Sequence, residues 1–370
     1  MPKTKRLHFK DLDALRFFGF IPVFLFSVLF LSSTDTEGFH HEMLLVIGYL
    51  KINSFDFFFF ISSFLLTSQG LREYKYNQSF ALKSFYLRRF IRFLPLSAVA
   101  LSFAFIFYPL IIKTLKLNVV TTPDGPKLLQ LIPEYYASYI NEQYIYLAVI
   151  WVILMFVAFY IIWGLILKYG SRALKFIAIL FILAGVVTRI VCHFMDVSFE
   201  FNPLAYGVAI GMAAILAQLV RTESNYLEKV KNIPKKFIFP IYIAGLAIVL
   251  LGYLISTNFF IYSIVPLITC SFFAFMILDQ TFGKNSPFKF RNNKVLTHLG
   301  KISFGLFVYQ AILNVLIVIG IDSLDFEMTS FSTKILFTLL GFVMSWIVAD
   351  LSFNFVEKPL LRMRREFKKI

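Results

Sequence analysis

The chain is 370 residues long, 59% apolar and only 15% charged, with 47 phenylalanines and a mean hydropathy of +0.76. Soluble domains carry about 25% charged residues, so this composition excludes an ordinary water-soluble enzyme. The net charge of +15 would suggest nucleic acid in a soluble chain, but the placement of the basic residues gives it another meaning.

In chain order, apolar runs predict membrane helices at about 15–33, 52–69, 94–112, 145–167, 174–192, 203–220, 237–256, 260–278, 299–320 and 333–355. Each is close to the roughly 20 residues that cross about 30 Å of hydrocarbon. The expected fold is all-α, a polytopic bundle of ten spans forming a single membrane domain over residues 1–370. The first run follows Lys3, Lys5, Arg6 and Lys10, as a signal peptide would. No small-x-small cleavage site follows it, and Asp11, Asp13 and Arg16 lie at its mouth, so it is expected to stay as a helix. Of the 36 Lys and Arg, 30 fall on one set of alternating connections and 6, Arg189 among them, on the other. Positive residues concentrate on the cytoplasmic side, which predicts cytoplasmic N- and C-termini. The basic excess therefore reads as topology and lipid-headgroup contact, with no nucleic-acid partner. The outer connections are short except for about 113–144. Cys192 and Cys270 lie in apolar runs and give neither zinc spacing nor a disulfide framework.

Ionisable groups at membrane depth are costly, and each marks a functional hypothesis. Arg16 opens the first helix, and Ser27, eleven residues on, falls on the same helical face about 16 Å away. The second span carries Asp56, Ser62, Ser63 and Thr67, with close helix packing the plain reading for the two serines. The ninth carries Ser303, Tyr309 and Gln310, and the tenth Asp350, Asn354 and Glu357. Asp56 and Asp350 also admit a structural ion pair or a proton-coupled transporter. Phe85-Tyr86-Leu87-Arg88-Arg89-Phe90-Ile91-Arg92-Phe93-Leu94-Pro95 is more specific. On a helix, Arg88, Arg89 and Arg92 are spaced three and four residues apart, and guanidinium forks suit phosphate oxygens. That pattern fits either anionic lipid or a phosphate-bearing acyl donor such as coenzyme A.

Several segments, in order, resemble the acyltransferase-3 family of membrane acyltransferases. Leu12-Asp13-Ala14-Leu15-Arg16 is similar to its opening motif, and Phe57 to Thr67 to its phenylalanine-rich second helix. Phe85 to Pro95 is similar to its arginine motif, Leu299 to Tyr309 to its late glycine-serine motif, and Val356-Glu357-Lys358-Pro359 to its closing motif. The resemblance implies transfer of an acyl group, commonly acetyl from cytoplasmic acetyl-coenzyme A, to a hydroxyl of a cell-surface glycan or lipid. Family partners of that kind imply an inner-membrane location, lipid contacts, protein partners in the membrane and no metal.

Carried over by motif, Arg16 occupies the arginine of the first-helix pattern, Arg89 and Arg92 the arginine pair after the second helix and Glu357 the closing glutamate; with Arg88, placed beside them by its spacing, they are the expected donor-binding residues. The family's two histidines fall on Ser27 and Gln310, and the glycine of its second-helix motif on Ser63. Imidazole is the side chain that titrates near neutrality, and general acid–base help is worth roughly 10²–10⁴-fold. Without it, the base is expected to have moved to Glu142, in a blurred family motif, or to His40 or His41 in the outer loop at 35–42. A non-catalytic homologue serving as a membrane binding or assembly subunit is the alternative. His8, His193 and His298 are the remaining imidazoles.

Overall fold

The computed structural model describes residues 10–31, 39–116, 145–195, 197–255, 259–322 and 331–363. The described chain is helical, with ten helices long and apolar enough to cross a membrane. The physical reason is that hydrocarbon offers no partners to backbone N–H and C=O groups, so each span must satisfy its own.

The helices are α1 (Lys10–Leu31), α2 (Phe39–Asn77), α3 (Leu82–Ser102), α4 (Tyr108–Leu115), α5 (Ile145–Tyr169), α6 (Leu174–Phe194) and α7 (Gly207–Thr222). They continue with α8 (Ser224–Lys231), α9 (Lys235–Ile255), α10 (Phe259–Phe282), α11 (Lys294–Lys301), α12 (Ser303–Asp322), α13 (Phe331–Ser352) and α14 (Lys358–Met363). Two π-helical segments interrupt the series: Phe103–Phe107 joins α3 to α4, and Phe353–Glu357 joins α13 to α14.

The ten predicted spans are all present, and the differences lie at their ends. At 39 residues, α2 is about 58 Å long and begins well before its predicted start. His40 and His41, expected in a loop, belong to its first turn, because the apolar stretch from Met43 to Leu50 lets the helix continue outward. The predicted span at 299–320 is split at Ile302 into α11 and α12.

The core forms where α2 packs on α7, α7 on α6, and α1 on α2, α11 and α12. Phenylalanine supplies much of it. Phe59 stacks on Phe156 at 4.4 Å and on Tyr206 at 4.8 Å. Small residues set the closest approaches, as expected where helices associate by packing rather than by hydrophobic driving force. A Cβ on Gly207 or Gly211 would collide with the carbonyls of Phe181 and Ala178, bringing α6 and α7 into backbone contact. A Cβ on Gly300 would collide with the carbonyl of Asp13. That contact fixes α11 against the start of α1, one turn before Arg16.

Candidate functional site

A cleft with a cavity volume of about 80 Å³ opens between α1, α2, α3, α5 and α12. Arg16 enters it from α1, Ser62 from α2, Arg89 and Arg92 from α3, Tyr160 from α5 and Ser303 from α12. Phe55, Phe58, Phe93, Phe156, Phe304 and Phe307 complete the wall. Phe93 stands edge-on to Phe304 with ring centres 4.7 Å apart, and 5.2 Å from Tyr160. The cleft is thus lined by cations and aromatic rings together.

Its arginines differ in how they are held. Arg16 donates to Asp13 at 2.9 Å. Arg89 donates to Gln69 Oε1 at 3.1 Å and lies 5.6 Å from the Tyr160 ring centre. Arg92 has no hydrogen bond or ion pair within 4 Å among the described residues, yet its charge reaches both Arg16 and Glu357. Like charges gathered at a poorly hydrated site repel one another, and an anion placed among them relieves that repulsion. Ser62 and Ser303 add hydroxyls, Ser303 being the first residue of α12 because the chain breaks at Ile302.

Arg88, one residue from Arg89, points elsewhere, with its guanidinium 3.8 Å from Glu73. The Glu73 carboxylate on α2 draws it away from the cleft that Arg89 and Arg92 line, so the three arginines of the motif do not act as one set. The rotation of about 100° between adjacent helical positions divides the two serines of α2. Ser62 faces the cleft, whereas Ser63 donates to the Ile210 carbonyl at 2.7 Å and ties α2 to α7.

Glu357 is buried at the end of the second π segment, and its Oε1 has no hydrogen-bond partner among the described residues. That oxygen is 3.4 Å from where a Cβ of Gly305 would stand, on the helical turn whose Ser303, Phe304 and Phe307 line the cleft. Ser27 and Gln310 are buried but do not line it. Gln310 Oε1 accepts from Asn314 at 3.2 Å. His41 lies in the first turn of α2 and does not line the cleft. The side chain of His40 and all of Glu142 lie outside the described residues, as does His8.

The two carboxylates that admitted a transporter reading are both paired. Arg189 Nη2 donates to Asp56 at 2.7 and 2.8 Å, and its Nε donates to the Ala205 carbonyl at 2.9 Å. The basic-residue count placed Arg189 among outer-side charges. It is instead buried in α6, its guanidinium 4.8 Å from the Phe199 ring centre. Asp350 contacts His298 Nε2 at 2.7 Å, with both side chains more than a third exposed. Neither carboxylate lines the cleft. That Asp56 and Arg189 are each an isolated charge inside an apolar run was visible in the sequence, but which partner each takes was not.

Ten lipid-length helices among the described residues, five of which line a cleft carrying arginines and aromatic rings, define an integral multi-pass membrane protein. The chain belongs to the acyltransferase-3 family: the family's model, an acyltransferase domain, matches residues 9–353, nearly its whole length. The family is one of membrane acyltransferases. No curated protein and no solved structure matches the chain.

Proposed function

We propose that the cleft binds an acyl-coenzyme A, with acetyl the expected acyl group, and that the acyl group passes to a hydroxyl of a cell-surface glycan or lipid. The observation that carries this reading is the convergence of Arg16, Arg89 and Arg92 on one cavity, with Arg92 unpaired among the described residues. Guanidinium groups pair bidentately with phosphate oxygens, and the aromatic wall suits the apolar stretch of a thioester. The cytoplasmic membrane, with both termini inside, is the location that gives such a donor access.

The chemistry needs a proton carrier. The acceptor oxygen attacks the thioester carbonyl, the C–S bond breaks, and the hydroxyl proton ends on the departing thiolate. Among the described residues Glu357 fits the carrier role. Its carboxyl is buried beside the cleft with one oxygen unsatisfied, and a carboxyl in such a setting exchanges protons more readily than the hydroxyl of Ser27 or the amide of Gln310. Glu142, His40 and His41 stay candidates from the sequence.

Acetyl-coenzyme A titrated into purified protein tests the donor site. Binding that weakens in Arg89→Ala and Arg92→Ala supports it, and unchanged affinity in the double variant removes it. Labelled acetyl carried onto membrane or surface material, and lost in Glu357→Gln with donor binding intact, supports the proton role. The absence of imidazole at positions 27 and 310 favours a second reading, a non-catalytic binding or assembly subunit. Donor binding without any labelled product would select it.

A further inference from the structure

A second cavity lies on the outside of the bundle, between α3 with its π segment and the facing sides of α12 and α13. Ala98, Val99, Phe103, Phe107, Ile312 and Val348 line it, and its volume is about 460 Å³. Its walls are almost wholly apolar. Ala98 to Phe107 is the middle of the 34-residue span Leu82–Leu115, so the groove sits at hydrocarbon depth. Around it Leu101, Ile106 and Leu110 are exposed, which makes it open sideways to the bilayer.

One end of this groove is polar. Tyr309 lines it and donates to Ser352 Oγ at 2.8 Å. Glu357 Oε1 stands 3.4 Å from the Cβ position of Gly305, one helical turn before Tyr309 and on the turn that also carries cleft-lining Ser303 and Phe304. Counting along the helices, Arg92 precedes Val99 by about 10 Å and Glu357 follows Val348 by about 13 Å. Because α3 and α13 run in opposite directions, both displacements point to the same end. The unsatisfied Glu357 carboxyl therefore stands between the arginine cleft and the polar end of an apolar groove. π-helical turns are rare and recur at functional sites, and both π segments among the described residues fall here, one lining the groove and the other ending in Glu357.

We propose that this groove holds an aliphatic chain of the acyl acceptor, which is therefore a lipid-borne hydroxyl that enters sideways from the bilayer and presents its oxygen near Tyr309 and Glu357. The proposal rests on the acyl-transfer reading above and narrows its acceptor to a lipid. The acceptor is a better occupant than the donor's acyl group for two reasons. The main cleft already offers its own phenylalanine wall to the thioester, and the groove opens to lipid rather than to water.

The test uses the full chain in lipid nanodiscs, with a diacylglycerol bearing a diazirine in one chain and a phosphatidylcholine bearing the same chain as control. Labelling of the hydroxyl-bearing probe concentrated at 98–107 and 309–313, at least fivefold above the lipid-facing helices α6 and α9, supports the proposal. So does its loss in Val99→Trp or Ala98→Trp, both at lipid-exposed positions that tolerate bulk, with acetyl-coenzyme A affinity unchanged. Even labelling over all lipid-facing helices overturns it, as does equal labelling by the phosphatidylcholine probe. A shift in acyl-coenzyme A chain-length preference in the tryptophan variants, with diacylglycerol labelling unaltered, also overturns it by assigning the groove to the donor. Groove labelling in a protein that binds no acetyl-coenzyme A would leave the lipid site standing and remove the donor reading instead.

Discussion

Arg189 and Arg92 are the same residue type inside the same bundle, and they are treated oppositely. Arg189 is saturated. Asp56 takes one nitrogen through both carboxylate oxygens, a backbone carbonyl takes another, and Phe199 covers the guanidinium face. Arg92 has no such partner among the described residues and opens into a cavity shared with two further arginines. A cation that is sealed and neutralised belongs to the scaffold. A cation kept accessible beside like charges is stabilised by what binds there, so pairing separates structural from ligand-directed arginines better than burial does.

The largest effect should come from the sealed pair. Arg189→Ala leaves the Asp56 carboxylate buried without its counter-charge, a loss of about 3–5 kcal/mol for breaking a buried pair. Detergent-solubilised variant protein is expected to lose most of its resistance to unfolding, and replacing both residues by Met and Leu should recover much of it. Stability of the double variant no better than that of Arg189→Ala would show that the partnership is not the cause.

The cleft arginines should behave differently. Charge-assisted hydrogen bonds contribute about 1.5–3 kcal/mol, so Arg89→Ala and Arg92→Ala should each weaken acetyl-coenzyme A binding by about 10- to 100-fold. Their melting temperatures should stay near that of the parent chain. A thermal shift as large as that of Arg189→Ala would erase the contrast between the two sites. For Ser27→His the expectation is a loss of stability of about 1–3 kcal/mol from overpacking, with no rise in transfer, because position 27 lies off the cleft wall. A gain in turnover would show that the cleft extends to this residue in the working protein.

The smallest effect is expected at Asp350. Its partnership with His298 is more than a third exposed, and exposed pairs contribute about 0–1 kcal/mol. Asp350→Asn should therefore change stability by under about 1 kcal/mol, against the several lost at Asp56. Denaturant unfolding of the two carboxylate variants side by side measures that difference directly.

Much of the architecture was legible because it depends on local composition. Apolar runs of the length of a bilayer marked ten helices, and the motif segments from Leu12 to Pro359 marked the family. Arg16, Arg89 and Arg92 were legible as a group because two lie on one motif and the third at a helix mouth. Arg88 could not be separated from them by sequence, since its direction depends on where Glu73 of α2 stands. The break at Ile302 was hidden for a similar reason. The apolar character continues through it, and the packing of Gly300 on Asp13 is a contact across almost the whole chain.

By itself the sequence determined the solvent this protein lives in, the number of times it crosses it, and the family to which it belongs. The first two follow from the free energy of placing each segment in hydrocarbon, a property summed along the chain, and the family follows from short motifs read in order. The tertiary structure alone decided that Asp56 is neutralised by Arg189, that Ser62 and Ser63 serve different neighbours, and that Glu357 stands between a cationic cleft and an apolar groove. Those depend on the rotation and approach of helices distant in sequence, which side-chain packing fixes only once the bundle has assembled.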